Sequence, residues 1–382
     1  MGARSRIERG TTDLHDTLTV GPSERTVAVV PGPPSLPLGR ASANPLLSPR
    51  DVGPSRPDFE VVGVFNPAVL VEDGETTLLL RVAERPRDVP PEEVAAPVYD
   101  SAAGAVVVRR WPRGAAGVRT DDARIVVVDG ETYLTSISHL RWARSRDGLR
   151  FEVDGEPALA AAGEEDAFGV EDPRATRMGG EWWINYTAVS RWGIATAAAV
   201  TRDRRRLERR GIWFPPPNRD VTPFPEAIDG RWATLHRPMP EGLGSAAIWY
   251  ASSPDLVSWG AHRPVAGPRP GAWDGAKLGG GAPPFRVRDG WLALYHGVDA
   301  ASRYSIGALL LDAREPWRVI GRSREPVLAP EARYEREGFF GNVVFTCGAA
   351  VDGDRVRVYY GAADTVVAAA DLSLHAILGG LS

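Results

Sequence analysis

What most constrains this chain is repetition: a short apolar strand, a turn built on Gly with Asp or Glu, a second strand and polar residues at its exit recur along most of its length. The unit reads FNPAVLVEDGETTLLLRVAE from Phe65, ARIVVVDGETYLTSISHLR from Ala123, GVEDPRATR leading into GGEWWINYTAVS from Gly169, FPEAIDGRWATLHRP from Phe224, APPFRVRDGWLALYHGV from Ala282 and NVVFTCGAAVDGDRVRVYYGAAD from Asn342. Such a unit cannot bury its apolar face alone and must stack on neighbours, so it governs the fold before any local reading. Several units continue into another apolar strand, an Asp-centred turn and a polar-aromatic strand, as in GIATAAAVTRDRRRLERRG and YSIGALLLDAREPWRVIG. Four short strands in about 40 to 60 residues are the signature of a propeller blade. The expectation is an all-β propeller with six repeat units. A two-layer sandwich is the rival, and it leaves the repeated exit composition unexplained.

The chain has 382 residues, enough for one large β domain or two ordinary ones. Its 45 basic and 49 acidic residues leave a formal charge of -4, so neither nucleic acid nor an anionic membrane is expected as a partner. Cys347 is the only cysteine, which excludes an internal disulfide and a zinc cluster built on cysteines. The opening MGARSRIERGTTDLHD lacks the apolar stretch of a signal peptide, and no apolar run approaches the roughly 20 residues that span a bilayer. A cytoplasmic location is the expectation.

Residues 1–60 are rich in Pro, Gly, Ser and Arg, with one strand candidate at Thr26–Val30, and read as an arm packing on a single main domain over 61–382. Residues 85–119 read as an elaborated loop holding a weaker strand pair. The basic run from Arg202 to Arg210 reads as a solvated hairpin, and Trp182, Trp183, Trp232 and Trp291 read as packing residues after equivalent turns. GLGSAA and KLGGGAPP lack phosphate-loop spacing, and the six histidines form no HExxH pair, so no metal is expected.

Chemistry centres on GVEDPR, where Glu171 and Asp172 stand at the mouth of a strand. Read locally, the two are also ordinary turn residues, with Asp172 paired to Arg174. Arg81, Arg237 and Lys277 each fit a surface ion pair, and His296 a structural histidine. Taken in order, however, FNPA with an arginine fifteen residues on, EDPR, FPE, LHRP, KLGGGAPP, YHGV, EPWRVIGR with EPVL, and NVVFTCGA with YYGAADT resemble glycoside hydrolase family 130. That family comprises inverting β-mannoside phosphorylases and related β-mannosidases, and the resemblance runs from about Val61 to Asp371.

The resemblance implies a five-bladed β-propeller, one fewer than the six units counted, with the Ala123 unit left unplaced. It implies Asp172 as the acid, passing its proton through a sugar hydroxyl, and Arg81, Arg237, Lys277, His296 and Tyr304 around phosphate. Asn66, Glu226 and Asp364 would bind sugar. No cofactor is implied, inorganic phosphate being a co-substrate beside a β-linked manno-oligosaccharide; a homo-oligomer is open to the chain. An inverting displacement needs an acid on one face of the ring and a nucleophile on the other. Phosphate, already anionic, needs a cationic cradle and no base. The expected activity is therefore phosphorolysis of a β-mannoside to α-mannose 1-phosphate. The alternative is an inverting β-mannosidase with Glu226 as base, and a catalytically silent sugar-binding propeller is the third reading.

Overall fold

The computed structural model describes residues 38–382, so the strand expected at Thr26–Val30 and most of the arm lie outside the described residues. Within them the protein is all-β, with two short α-helices at Arg333–Arg336 and Leu374–Gly379. The strands fall into five successive antiparallel groups. The first joins Phe59–Glu72, Glu75–Pro86, Ile137–Ser145 and Glu152–Val153. The second, from Gly169–Met178 to Glu208–Phe214, touches the first through a single parallel contact of Gly169 with Ser138. Gly169 has φ 114°, and a Cβ there would press on the Ser138 backbone, so the junction requires glycine.

The third group runs from Asn218–Pro223 to Gly260–Ala266 and the fourth from Lys277–Gly280 to Val319–Arg322. In the fifth, Val344–Asp352, Arg355–Ala362 and Val366–Ser373 are joined by Gly39–Arg40 from the start of the described chain. Arg40 fixes that edge strand through Glu335, donating from Nε at 2.7 Å and from Nη2 at 2.8 Å.

Packing explains why these strands read as continuously apolar: both faces of most sheets are covered. Leu70, Leu79 and Trp142 of the first group pack on Ile184 and Tyr186 of the second. Ala198 and Trp213 of the second meet Val221 and Ala251 of the third, and Leu235 and Tyr250 of the third meet Trp291 and Leu309 of the fourth. Leu292 and Ile306 then pack on Val356 and Tyr360 of the fifth, and Tyr359 and Val367 return to Leu78 and Leu80 of the first. Every group thus packs on its neighbour, and the last packs on the first. Trp291 is buried in this core, while Trp182, Trp183 and Trp232 are half-buried packing residues.

The count of six units needs correction. Ile125–Val128 and Glu131–Leu134 do not begin a unit; with Val118–Arg119 they form a three-stranded sheet beside the hairpin Glu93–Asp100 and Ala105–Pro112. Both pieces are inserted between the second and third strands of the first group. The SHLRWAR stretch is that third strand, and it satisfies the backbone edge of Glu75–Pro86 from Thr76↔Ser145 to Glu84↔Ile137. The third and fourth groups also start earlier than expected, at Asn218 and Lys277.

Candidate active site

Four of the five leading strands carry a β-bulge at a similar level: between Phe65 and Ala68, Glu171 and Arg174, Arg219 and Thr222, and Thr346 and Gly348. A bulge leaves a residue unpaired and re-aims its side chain. Asn66, Asp172 and Asp220 sit in the first three with φ of 47°, 47° and 55°. Asn and Asp tolerate this left-handed region better than other side-chain-bearing residues. Pro67 and Pro173 follow two of them, as expected of strand prolines confined to bulges.

Asn66 and Asp172 open into a cavity of about 440 Å³ that is also lined by Arg81, Glu171, Arg219, Tyr304 and Asp364. Asn66 Nδ2 donates to Asp172 Oδ1 at 2.8 Å. Arg81 clamps both carboxylates, donating from Nη1 to Asp172 Oδ1 at 2.9 Å and from Nη2 to Glu171 Oε1 at 2.6 Å. Its Nε donates to Ser138 Oγ at 3.0 Å, and its guanidinium lies over Phe65. Arg219 Nη2 reaches Glu171 Oε2 at 3.4 Å. Burial alone would push the Asp172 carboxyl up, but Arg81, Arg219, the Asn66 amide and Arg174 outweigh it and hold the group below the usual carboxylate range. Asp364 goes the other way: burial, opposed by Arg81 but reinforced by Asp172 and Glu171, pushes it up to about 6.

A second cluster gathers on Asp220. Arg174 Nη2 donates to its Oδ1 at 3.2 Å, Arg237 Nε lies 2.8 Å from its Oδ2, and His296 Nε2 lies 3.5 Å from the same oxygen. The Arg237 approach is ionic without hydrogen-bond alignment, and the buried Nε atoms of Arg219 and Arg237 have no hydrogen-bond partner. Burial opposes the net charge of Asp220, but Arg237, His296, Arg174 and Arg219 hold its carboxyl far below the usual range. His296 is pulled down to about 3 by burial, against Asp220 and with Arg237, Arg174 and Lys277, so it is neutral at physiological pH. Its ring packs 4.5 Å from Phe345, and Lys277 Nζ stands 4.8 Å over the ring of Tyr304. Arg174 ties the clusters together, donating also to the carbonyls of Asp172, Gly280 and Gly281 at 3.2, 2.8 and 2.9 Å.

The structure therefore gathers Asn66, Arg81, Asp172, Tyr304 and Asp364 in one cavity and places Arg237, Lys277 and His296 in the adjoining cluster. Three placements differ from readings the sequence offered. Arg81, assigned to a cradle opposite the acid, is in contact with it. Arg174 does not pair with the Asp172 carboxylate but bonds its backbone and Asp220. Glu226 is exposed in the turn after Asn218–Pro223 and is not among the cavity's lining residues, because the functional level of that strand is the bulge before its end. The glycine run has a different use from close ligand approach: a Cβ at Gly279 would collide with the Asp220 carboxylate and the His296 ring. Arg219 and Asp220 went unnoticed in the sequence; the only signal is that Asp220 repeats the mid-strand polar position of Asn66 and Asp172, without the following proline.

Residues 115–381 match the family model for glycoside hydrolase family 130, described as beta-1,4-mannooligosaccharide phosphorylase. Over 343 residues the chain is 44% identical to the beta-1,2-mannobiose phosphorylase of Listeria innocua, covering 89% of this chain and 97% of that one. It is 39% identical to a 1,2-beta-oligomannan phosphorylase of a Thermoanaerobacter species, over 62% of this chain and 79% of that protein. A solved structure of beta-1,2-mannobiose phosphorylase from Listeria innocua in complex with beta-1,2-mannobiose superposes with TM-score 0.87 at 43% identity, covering 90% and 99% of the two chains. By its bulged strands, its ordered motifs and these matches along most of its length, the chain belongs to glycoside hydrolase family 130.

Proposed function

We propose that the protein is an inverting phosphorylase that cleaves a β-1,2-linked mannoside with inorganic phosphate, releasing α-mannose 1-phosphate and the shortened sugar. The observation that carries this reading is the charge imbalance beside the acid: Arg174 and Arg237 contact a single buried carboxylate, Asp220, Arg219 and Lys277 bias the same cluster, and the Nε atoms of Arg219 and Arg237 have no hydrogen-bond partner. A hydrolase needs a carboxylate base on the nucleophile's side. The residue that reading assigned to it, Glu226, stands exposed and outside the cavity lining. The 1,2 linkage is supported by relatives named for it at 44%, 39% and 38% identity.

Asp172 supplies the proton to the leaving oxygen as the C1–oxygen bond breaks and a phosphate oxygen bonds C1 from the opposite face. Its carboxyl is held ionised by the arginines without ligand, so protonation depends on that field being relieved. An arriving phosphate offsets Arg219 and Arg174, and a sugar filling the cavity removes water; both favour the protonated acid. The nucleophile thus readies the acid. We also read the five strand groups as blades of a propeller centred on this site, within one catalytic domain that takes in residues 39–60 as well as 61–382. The cyclic packing of the groups and the closing strand Gly39–Arg40 support that architecture.

Initial rates on β-1,2- and β-1,4-mannobiose across a phosphate titration test the function. Cleavage of the 1,2-linked disaccharide that saturates with phosphate is expected; preference for the 1,4 linkage would overturn the linkage, and indifference to phosphate the reaction.

A further inference from the structure

Trp192 is 63% exposed, although large aromatic side chains elsewhere in the second strand group are packed. It lies in the turn between Glu181–Ser190 and Gly193–Thr201, flanked by Val189 and Ile194, which line the cavity. Gly169 pairs with Val189, so this turn projects beyond the end of the strand from which Asp172 enters the site. At about 3.3 Å per residue, roughly four to five residues put the turn on the order of 13–17 Å from the level of Asp172. That is further than the sugar adjoining the cleaved bond.

The neighbourhood is built for hydroxyls as well as for an apolar face. The Arg191 guanidinium lies 5.3 Å from the Trp192 ring, and its Nη2 donates to Glu131 Oε1 at 3.4 Å. Glu131 belongs to the inserted sheet, where its Oε2 accepts from Tyr133 at 2.6 Å. From there an open groove of about 550 Å³ runs over the insertion between Trp111, Asp129 and Glu131, with Trp111 and Tyr133 rings 5.2 Å apart. Aromatic faces alternating with carboxylates and guanidinium groups suit pyranose rings, whose C–H faces are apolar and whose edges are hydroxyls.

We propose that Trp192, with Arg191 and Glu131, forms a distal subsite that holds the far end of an oligomannoside leading out of the cavity and onto the insertion, so that the protein prefers chains longer than the disaccharide. The inference rests on the cavity being the site of β-mannoside cleavage. It is tested by kcat/KM for phosphorolysis of β-1,2-mannobiose and β-1,2-mannotetraose in wild type, Trp192→Ala and Trp192→Phe. The alanine variant is expected to lose about tenfold on the tetrasaccharide and less than about twofold on the disaccharide, with phenylalanine restoring most of the loss. Equal losses on both substrates, or no loss on the tetrasaccharide, would overturn the subsite. A change of oligomeric state on gel filtration with chain-length preference unaltered would instead make Trp192 an assembly contact and likewise overturn it. Wild-type inactivity on both sugars would sink the functional reading first, which separates the two failures.

Discussion

The two halves of the site balance charge in opposite ways. Around Asp172, two carboxylates share Arg81, which answers them with a clamp, and Arg219 reaches Glu171 to match the second charge. Around Asp220, one carboxylate faces Arg174 and Arg237 in contact, with Arg219 and Lys277 near enough to bias the same groups. The first half is closed upon itself, and the second has donors to spare. A site arranged in this way can hold a proton donor in check on one side and recruit an anion on the other, and Arg174 links them by hydrogen bonds to the Asp172 carbonyl and the Asp220 carboxylate.

Substitutions should separate the halves. Asp172→Asn removes the acid while leaving the anion cluster intact, so kcat should fall by roughly 10²–10⁴-fold with the KM for phosphate little changed. Steady-state kinetics in phosphate check this, and a parallel rise in KM would join the halves. Asp220→Asn should act on stability as well as on phosphate binding, because it leaves buried guanidinium groups without their counter-charge; a cost of about 3–5 kcal/mol is expected in denaturant unfolding.

The pH dependence of that variant sharpens the point. The folded Asp220 carboxyl lies below its unfolded value near 3.8, so its contribution is present above about pH 4 and is lost as pH falls towards the folded value. His139, His236 and His296 are each pulled down to about 3 by burial, so the unfolded chain takes up protons first and stability declines from about pH 6.5 downwards. The variant should keep the histidine slope and lack the further loss below about pH 4.

A smaller effect is expected of Arg81→Gln. Removing the clamp raises the Asp172 pKa, and since the reaction uses the protonated form, the alkaline limb of kcat/KM should move to higher pH while the rate at neutral pH changes by about tenfold. A limb that stays in place would show that Arg81 serves the sugar or phosphate alone. Smallest of all, Glu226→Gln should leave kcat/KM within about twofold, since the side chain is exposed and outside the cavity lining; a large loss would revive the hydrolase reading.

Much of this was legible in the sequence where a local rule marks it. Pro67 and Pro173 inside apolar runs signal bulges, and they point to Asn66 and Asp172 beside them. Asp220 lies in the same kind of bulge but is followed by Val221, so nothing local distinguishes it from a strand-end polar residue. The Ala123 unit misled for a related reason. Its alternation and Asp129-Gly130 turn describe a real hairpin, yet whether a hairpin begins a unit or interrupts one depends on pairing between Glu75–Pro86 and Ile137–Ser145 across the insertion, which local periodicity does not encode. Glu226 shows the converse: a carboxylate in a family-like motif, placed by its turn away from the chemistry.

Whether phosphate is the nucleophile that attacks opposite the acid's proton is read by following β-1,2-mannobiose and inorganic phosphate together by phosphorus and proton NMR. Equal amounts of α-mannose 1-phosphate and mannose are expected to appear as phosphate is consumed. Release of two mannose molecules per disaccharide with the phosphate signal unchanged, or a β-configured phosphate, would contradict inverting attack by phosphate.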